Sequence, residues 1–128
     1  MLIKFSVENW KSFRDEAILS MLATKERRHR ERLAKIDNDK VNLLPIAAIY
    51  GANASGKTKL FDAIYFAKEF VVKVTQPEHP ILREPFKLDK DCQQQPSRFC
   101  FEILMNDIYY EFSFSVTHQA VVEEKLIK

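Results

Sequence analysis

Leu43-Leu44-Pro45-Ile46-Ala47-Ala48-Ile49-Tyr50-Gly51-Ala52-Asn53-Ala54-Ser55-Gly56-Lys57-Thr58 is the stretch on which the reading of the fold turns. Its first half is a nearly unbroken apolar run, the form taken by a strand buried on both faces of a parallel sheet, with Pro45 at the strand's start. Its second half satisfies G-x-x-x-x-G-K-[ST] at every required position. The only two glycines of the chain, Gly51 and Gly56, both lie in it. From Lys57 to Val74, the residues Leu60, Ile64, Ala67, Val71 and Val74 recur at steps of three and four, with Phe61, Phe66 and Phe70 widening the stripe. That spacing predicts a helix packed against a sheet, stopped by Pro77 and Pro80.

A strand, a glycine loop and a helix in that order make a polyphosphate site. Backbone N–H groups must converge on the anion; glycine permits the close approach and the positive φ, and the helix start adds its partial positive charge. Gly51 and Gly56 supply the loop. Lys57 would reach the β and γ phosphate oxygens, the Thr58 hydroxyl would ligate Mg²⁺, and Asn53 and Ser55 can add side-chain donors. The octapeptide can arise by chance in a strand-to-helix turn, but the flanks favour nucleotide binding.

Hydrolysis needs a second carboxylate at a strand end to hold the metal and orient water. Phe101-Glu102-Ile103-Leu104-Met105-Asn106-Asp107 is the nearest match, yet Asn106-Asp107 reads as a hairpin turn. No glycine is left for a signature loop, so the catalytic residues are unknown and the set is incomplete.

Outward from the loop, Met1 to Val7 alternates like a half-buried strand, and Trp10 to Met21 reads as a second extended stretch paired with it after a turn at Glu8-Asn9. Lys25 to Lys40 is a charged excursion. Beyond a Pro-punctuated connection from Gln76 to Pro96, the runs Arg98 to Met105, Ile108 to Val116 and Ala120 to Ile127 form a meander. In the second, Tyr110, Phe112, Phe114 and Val116 face the core, and Tyr109, Glu111, Ser113 and Ser115 face water.

With 128 residues, 20 Lys plus Arg against 18 Asp plus Glu, and 46% hydrophobic residues, the chain is one domain at most and not disordered as a whole. A net charge of +2 decides nothing about partners. Cys92 and Cys100 form no C-x-x-C pair, which removes zinc ribbons and redox dithiols and points to a reduced cytosol. His29, His79 and His118 have no metal-ligand spacing, and no run has the form of a signal peptide or a membrane span. A soluble, cytoplasmic protein is expected.

Met1-Leu2-Ile3-Lys4-Phe5, Asn9-Trp10-Lys11-Ser12-Phe13 and the stretch from Leu44 to Thr58, in that order, resemble the start of a RecF/SMC-type (ABC-type) ATPase. More closely, the chain resembles the AAA-labelled ATPases of bacterial abortive-infection and phage-defence systems, including relatives fused to Toprim nuclease domains. The resemblance spans roughly the whole chain. It implies an α/β P-loop NTPase first lobe: a mixed sheet with an N-terminal β-hairpin, a parallel part carrying the phosphate loop, and an antiparallel meander. It implies ATP and Mg²⁺ as ligands, with Gly51, Asn53, Gly56, Lys57 and Thr58 in the phosphate and metal roles and Lys11, Ser12 and Phe13 beside the nucleotide.

The departures also matter. Family members usually carry Asn where Lys59 stands, so Lys59 either adds a charge near the phosphates or points to solvent. The Q-loop glutamine is not assigned among Gln93, Gln94, Gln95 and Gln119. The Walker B acids and signature loop are absent, so residues 1–128 read as the N-terminal lobe of a longer ATPase. That lobe would need a second lobe and dimerisation, as a homodimer or with an effector or nuclease subunit, and the fragment alone would be inactive.

DNA is a partner that the Lys25 to Arg32 cluster would allow, although Glu26 and Glu31 dilute it and the reading as a solvated face or mobile loop is preferred. Trp10 and Phe13 read either as base-stacking residues or as core. Two rival functions remain: a degenerate P-loop fold acting as a protein-interaction module, and a small stand-alone P-loop kinase or GTPase. The latter lacks a guanine-reading sequence, since Asn38-Asp39-Lys40 lies on the wrong side of the loop.

Overall fold

The alternating amino terminus forms β1 (Leu2–Glu8), with Ile3, Phe5 and Val7 buried. In this computed structural model, which describes residues 1–24, 34–36, 41–52, 55–73 and 79–128, β1 has a neighbour on each edge. On one side it pairs with β2 (Ala17–Ser20), so the expected hairpin is present but its second strand is shorter than the stretch from Trp10 to Met21, residues 9–16 forming the connection. On the other it pairs with β5 (Ser97–Met105), setting Phe5 opposite Phe101 and Val7 opposite Phe99. β6 (Ile108–Val116) and β7 (Val121–Ile127) complete the order β2-β1-β5-β6-β7. Hairpin and meander, far apart in sequence, are thus one sheet.

Every pairing in that sheet is antiparallel, which corrects the expectation of a mixed sheet. The Leu43 to Tyr50 run is not a buried strand. The chain forms a short hairpin of β3 (Ala34–Ile36) and β4 (Val41–Leu43), and β4 is tied to the end of β2 by Ala23 N–H donating to the Asn42 carbonyl at 2.8 Å and Leu44 N–H to Met21 at 2.7 Å. From residue 44 to 50 there is no regular structure, and Ile46 and Tyr50 are 80% and 92% exposed. The cause is a shortage of partners. A strand buried on both faces needs a neighbour on each edge, and among the described residues the longer strands are all committed to the antiparallel sheet.

The predicted helix is present as α1 (Lys57–Val72), ending at the extended Lys73; Val74, Gln76 and Pro77 lie outside the described residues. Its buried line is Ala63 and Ala67, with Leu60, Ile64, Phe66 and Phe70 packed beside them. Phe61 and Val71 are exposed, against expectation. Phe61 lies about 160° around the helix from Ala63. Ala63 and Ala67 sit at the centre of the contact, and the flanking rings fill the space between α1 and the sheet. Phe66 sits 4.5 Å from Trp10 and 5.3 Å from Phe99, and Phe70 stacks 5.2 Å from Phe114. One face of the sheet is therefore an aromatic core; the other is polar.

The hairpin turn expected at Asn106-Asp107 is present, both residues having positive φ, and joins Met105 to Ile108. The connection before the meander is more ordered than its prolines suggested. It holds α2 (Lys90–Gln94), whose cap is Asp89 Oδ1 accepting from Asp91 N–H at 3.0 Å, and a buried Arg83. Arg83 donates to the carbonyls of Gln95 (2.7 Å) and Gln93 (2.8 Å) and to Ser97 Oγ (3.1 Å). No helix among the described residues is long and apolar enough to cross a membrane.

Candidate functional site

The site begins where α1 begins. Gly56 is its N-cap, with φ +96, a conformation that L side chains rarely adopt. Leu60 N–H closes the first helical turn on the Gly56 carbonyl at 3.0 Å. No side chain caps the helix, and no acidic residue stands in its first turn. The N–H groups of that turn, with the helix dipole behind them, thus face outward with no carboxylate to repel an anion.

Lys57 folds back over the loop. Its ammonium donates to the carbonyls of Gly51 and Ala52, the latter at 2.8 Å, and lies 3.4 Å from Ser55 Oγ. The ammonium thus sits inside the curve of the loop, held by oxygens. A Cβ on Gly51 would come within 2.8 Å of Ser55 Oγ, the end of a short side chain. Thr58 and Lys59 are exposed on the first turn. Asn53 lies outside the described residues, as does the Lys25 to Arg32 cluster. The residues present fit a magnesium nucleotide: uncapped amides, a lysine within the loop, and a hydroxyl on the first turn. Among the described residues, no group of three His, Cys, Asp or Glu forms a metal site of its own.

The amino-terminal hairpin meets this loop. Asn9 and Lys11 both have positive φ, and Trp10 and Phe13 exchange backbone hydrogen bonds at 2.9 and 2.8 Å, which makes Lys11-Ser12 the tip of a tight turn. That tip faces Gly56. A Cβ built on Gly56 would lie 3.7 Å from Phe13 Cε1 and 3.9 Å from Ser12 Oγ. A pocket of about 280 Å³ next to the loop has Phe13, Ala17, Ile18, Ile49, Tyr50 and Leu60 as its apolar walls.

Lys11 itself goes elsewhere. Its ammonium is 2.8 Å from Asp62 Oδ2, on the second turn of α1, and 3.8 Å from Glu84 Oε1, and it lies 5.6 Å over the Trp10 ring. The hydrogen bond from Lys11 holds the Asp62 carboxyl below its ordinary range, against the opposing effect of burial. Trp10 is 2% exposed and belongs to the core, so of the two aromatics only Phe13 flanks the loop.

The sequence places a turn at Glu8-Asn9 but does not show the contacts by which Asn9 holds this one. Its Nδ2 donates to the carbonyls of Cys92 (2.6 Å), Gln95 (3.0 Å) and Pro96 (3.3 Å), and its Oδ1 accepts from Phe86 N–H at 3.0 Å. Ser97 Oγ donates to the Asn9 carbonyl at 2.5 Å. The only available signal was an asparagine at a turn, where its short amide tolerates positive φ. Gln93 and Gln95 accept from Arg83 through their carbonyls, and Gln119 sits in the β6–β7 turn.

No curated protein matches the sequence. A family profile does, that described as "AAA domain, putative AbiEii toxin, Type IV TA system", over residues 46–128. The match takes in the glycine loop, α1 and the meander, and leaves the amino-terminal hairpin outside. It covers nearly two thirds of the chain, which therefore belongs to this family of AAA-type, P-loop ATPase-like domains.

Proposed function

We propose that the chain is the ATP-binding lobe of an ABC-type ATPase of a phage-defence or DNA-processing system, acting in the cytoplasm. The observation that carries this reading is the junction at Gly56, where a left-handed glycine opens an uncapped helix, Lys57 lies within the loop, and Ser12 and Phe13 press on the same glycine. In this reading the amides of Gly56 to Lys59 and the loop from Gly51 through Asn53 to Ser55 hold the triphosphate. Lys57 leaves the carbonyls of Gly51 and Ala52 for the β and γ oxygens. Thr58 holds Mg²⁺, which neutralises phosphate charge when bound. Phe13 flanks the nucleotide, whereas Lys11 acts through Asp62 to position the turn.

Hydrolysis requires a metal-binding carboxylate from a second lobe and a signature loop from a second subunit. The apolar segment 45–50, which has no regular structure and exposes Ile46 and Tyr50, supports a second lobe, because its composition suits a strand with neighbours on both edges. An effector or nuclease subunit, and DNA, are the partners such a machine would serve.

The test is a calorimetric titration of the full chain and of Lys57→Ala with ATP and Mg²⁺. The variant is expected to lose at least about tenfold in affinity, the scale of one charge-assisted contact. Equal affinities refute the assignment.

A further inference from the structure

The sheet ends at β7 on the side away from β2, and among the described residues no strand runs along its outer edge. All seven β7 residues are exposed, including Val121, Val122, Leu126 and Ile127. The strand contains neither Pro nor Gly. An edge of this kind is a template for a further strand unless its charges oppose it. Here the charges select one partner.

Two copies of a strand paired antiparallel about a dyad normal to the sheet set residue i opposite residue j with i + j constant. The pleat requires that sum to be even, since opposed residues share a face. Three centres lie in the polar middle of β7. Centring on Glu123 opposes it to itself and sets Val122 against Glu124. Centring on Lys125 opposes it to itself and sets Glu124 against Leu126. Centring on Glu124 sets Glu123 against Lys125, a pair that occurs twice by symmetry; Val121 and Val122 lie at and beyond the bulge where the register to β6 shifts and take no part in the match. Its one conflict is Glu124 facing its own copy on the axis. Glu123 and Lys125 line the same open, polar face of the sheet, as such a pair requires. On the helix side, Phe70, Val71, Phe112, Phe114 and Val121 leave a groove beside the edge, with Glu124 in its lining.

We infer that β7 is a self-association surface: two copies of this chain join β7 to β7, antiparallel and centred on Glu124, making one continuous ten-stranded sheet from two five-stranded ones. Both α1 helices then lie on the same side. The Gly51–Thr58 loop borders β2, at the opposite edge, and stays open in the pair. This association therefore stands apart from nucleotide binding and is tested without nucleotide.

The test is sedimentation equilibrium of the full chain over a range of concentrations. A reversible dimer is expected. Glu123→Lys and Lys125→Glu each place like charges opposite one another twice, and each should weaken dimerisation about tenfold. The double exchange restores opposite charges and should return the affinity to within about twofold of the parent. Glu124→Gln removes the conflict on the axis and should tighten the dimer about threefold. These side chains are exposed, so the far-ultraviolet circular dichroism of the variants should match the parent. A chain that stays monomeric, or a dimer that responds equally to the single and double exchanges, overturns the inference.

Discussion

The Phe13 ring rests against Gly56: a methyl group placed on that glycine would lie 3.7 Å from the ring's Cε1 and Cζ. That contact joins a turn near the amino terminus to the start of a helix more than forty residues later, and it defines one wall of the candidate site. The space itself would admit the methyl; the backbone would not. Gly56→Ala meets ordinary van der Waals contacts at φ +96, so its cost is conformational, about 1–2 kcal/mol. Gly51→Ala instead meets only the end of the Ser55 side chain, which can rotate. Urea unfolding should show Gly56→Ala as the less stable of the two, with the weaker affinity for magnesium ATP. A reversed order contradicts this account of the loop.

Asn9 is expected to be the most sensitive polar position of the hairpin. Asn9→Ala leaves the carbonyls of Cys92, Gln95 and Pro96 and the Phe86 N–H without their partner, at a cost of about 2–3 kcal/mol. Asn9→Asp keeps the tolerance for positive φ but turns a carboxylate toward three carbonyls, and should be worse than alanine. Denaturant midpoints check the order; an aspartate variant as stable as the parent would show that the amide donor is idle.

The Lys11–Asp62 pair gives a pH signature. Because the folded carboxyl sits below its ordinary value, the stabilisation is present above that value and is lost as the pH falls through the depressed one. Asp62 is partly exposed, so the gain is small. Carbon-detected titration should place the Asp62 midpoint below the ordinary aspartate range, and Lys11→Met should return it there. An unchanged midpoint means that the two groups are not paired.

Trp10 is the single tryptophan of the chain, so its fluorescence reports one place. Packed between Phe66 and Phe99, it should emit at short wavelength and show little quenching when magnesium ATP is added. Trp10→Ala should cost about 3–5 kcal/mol as a core truncation. Strong quenching by nucleotide would return Trp10 to the base-stacking reading.

What could be read from the sequence follows from how local each feature is. The strands at Met1 to Val7 and at Tyr109 to Val116, the helix from Lys57 and the turn at Asn106-Asp107 depend on neighbouring residues, and they appear where expected, although Ser115, expected to face water, is buried, as is Ser6. The pairing of β1 with β5 depends on residues some ninety positions apart, and alternation alone cannot choose a partner strand. The run before Gly51 misled because apolar composition states what a strand needs, not whether neighbours are present to supply it. At the site, the spacing of Gly51, Gly56, Lys57 and Thr58 was legible, and so was the approach of Ser12 and Phe13 by resemblance. The diversion of Lys11 to Asp62 and the role of Asn9 were not, since both rest on tertiary contacts with α1 and with the segment before β5.

The central claim, that the loop and the first turn of α1 grip a triphosphate, is tested most directly by following the backbone amide resonances of Gly56, Lys57, Thr58 and Lys59 while magnesium ATP, and separately magnesium tripolyphosphate, is added. The account predicts that both ligands shift these four amides together and saturably, ahead of amides in β6 and β7. Amides at Gly56 to Lys59 that stay in place while ATP binds elsewhere, or that never respond to either ligand, would contradict it.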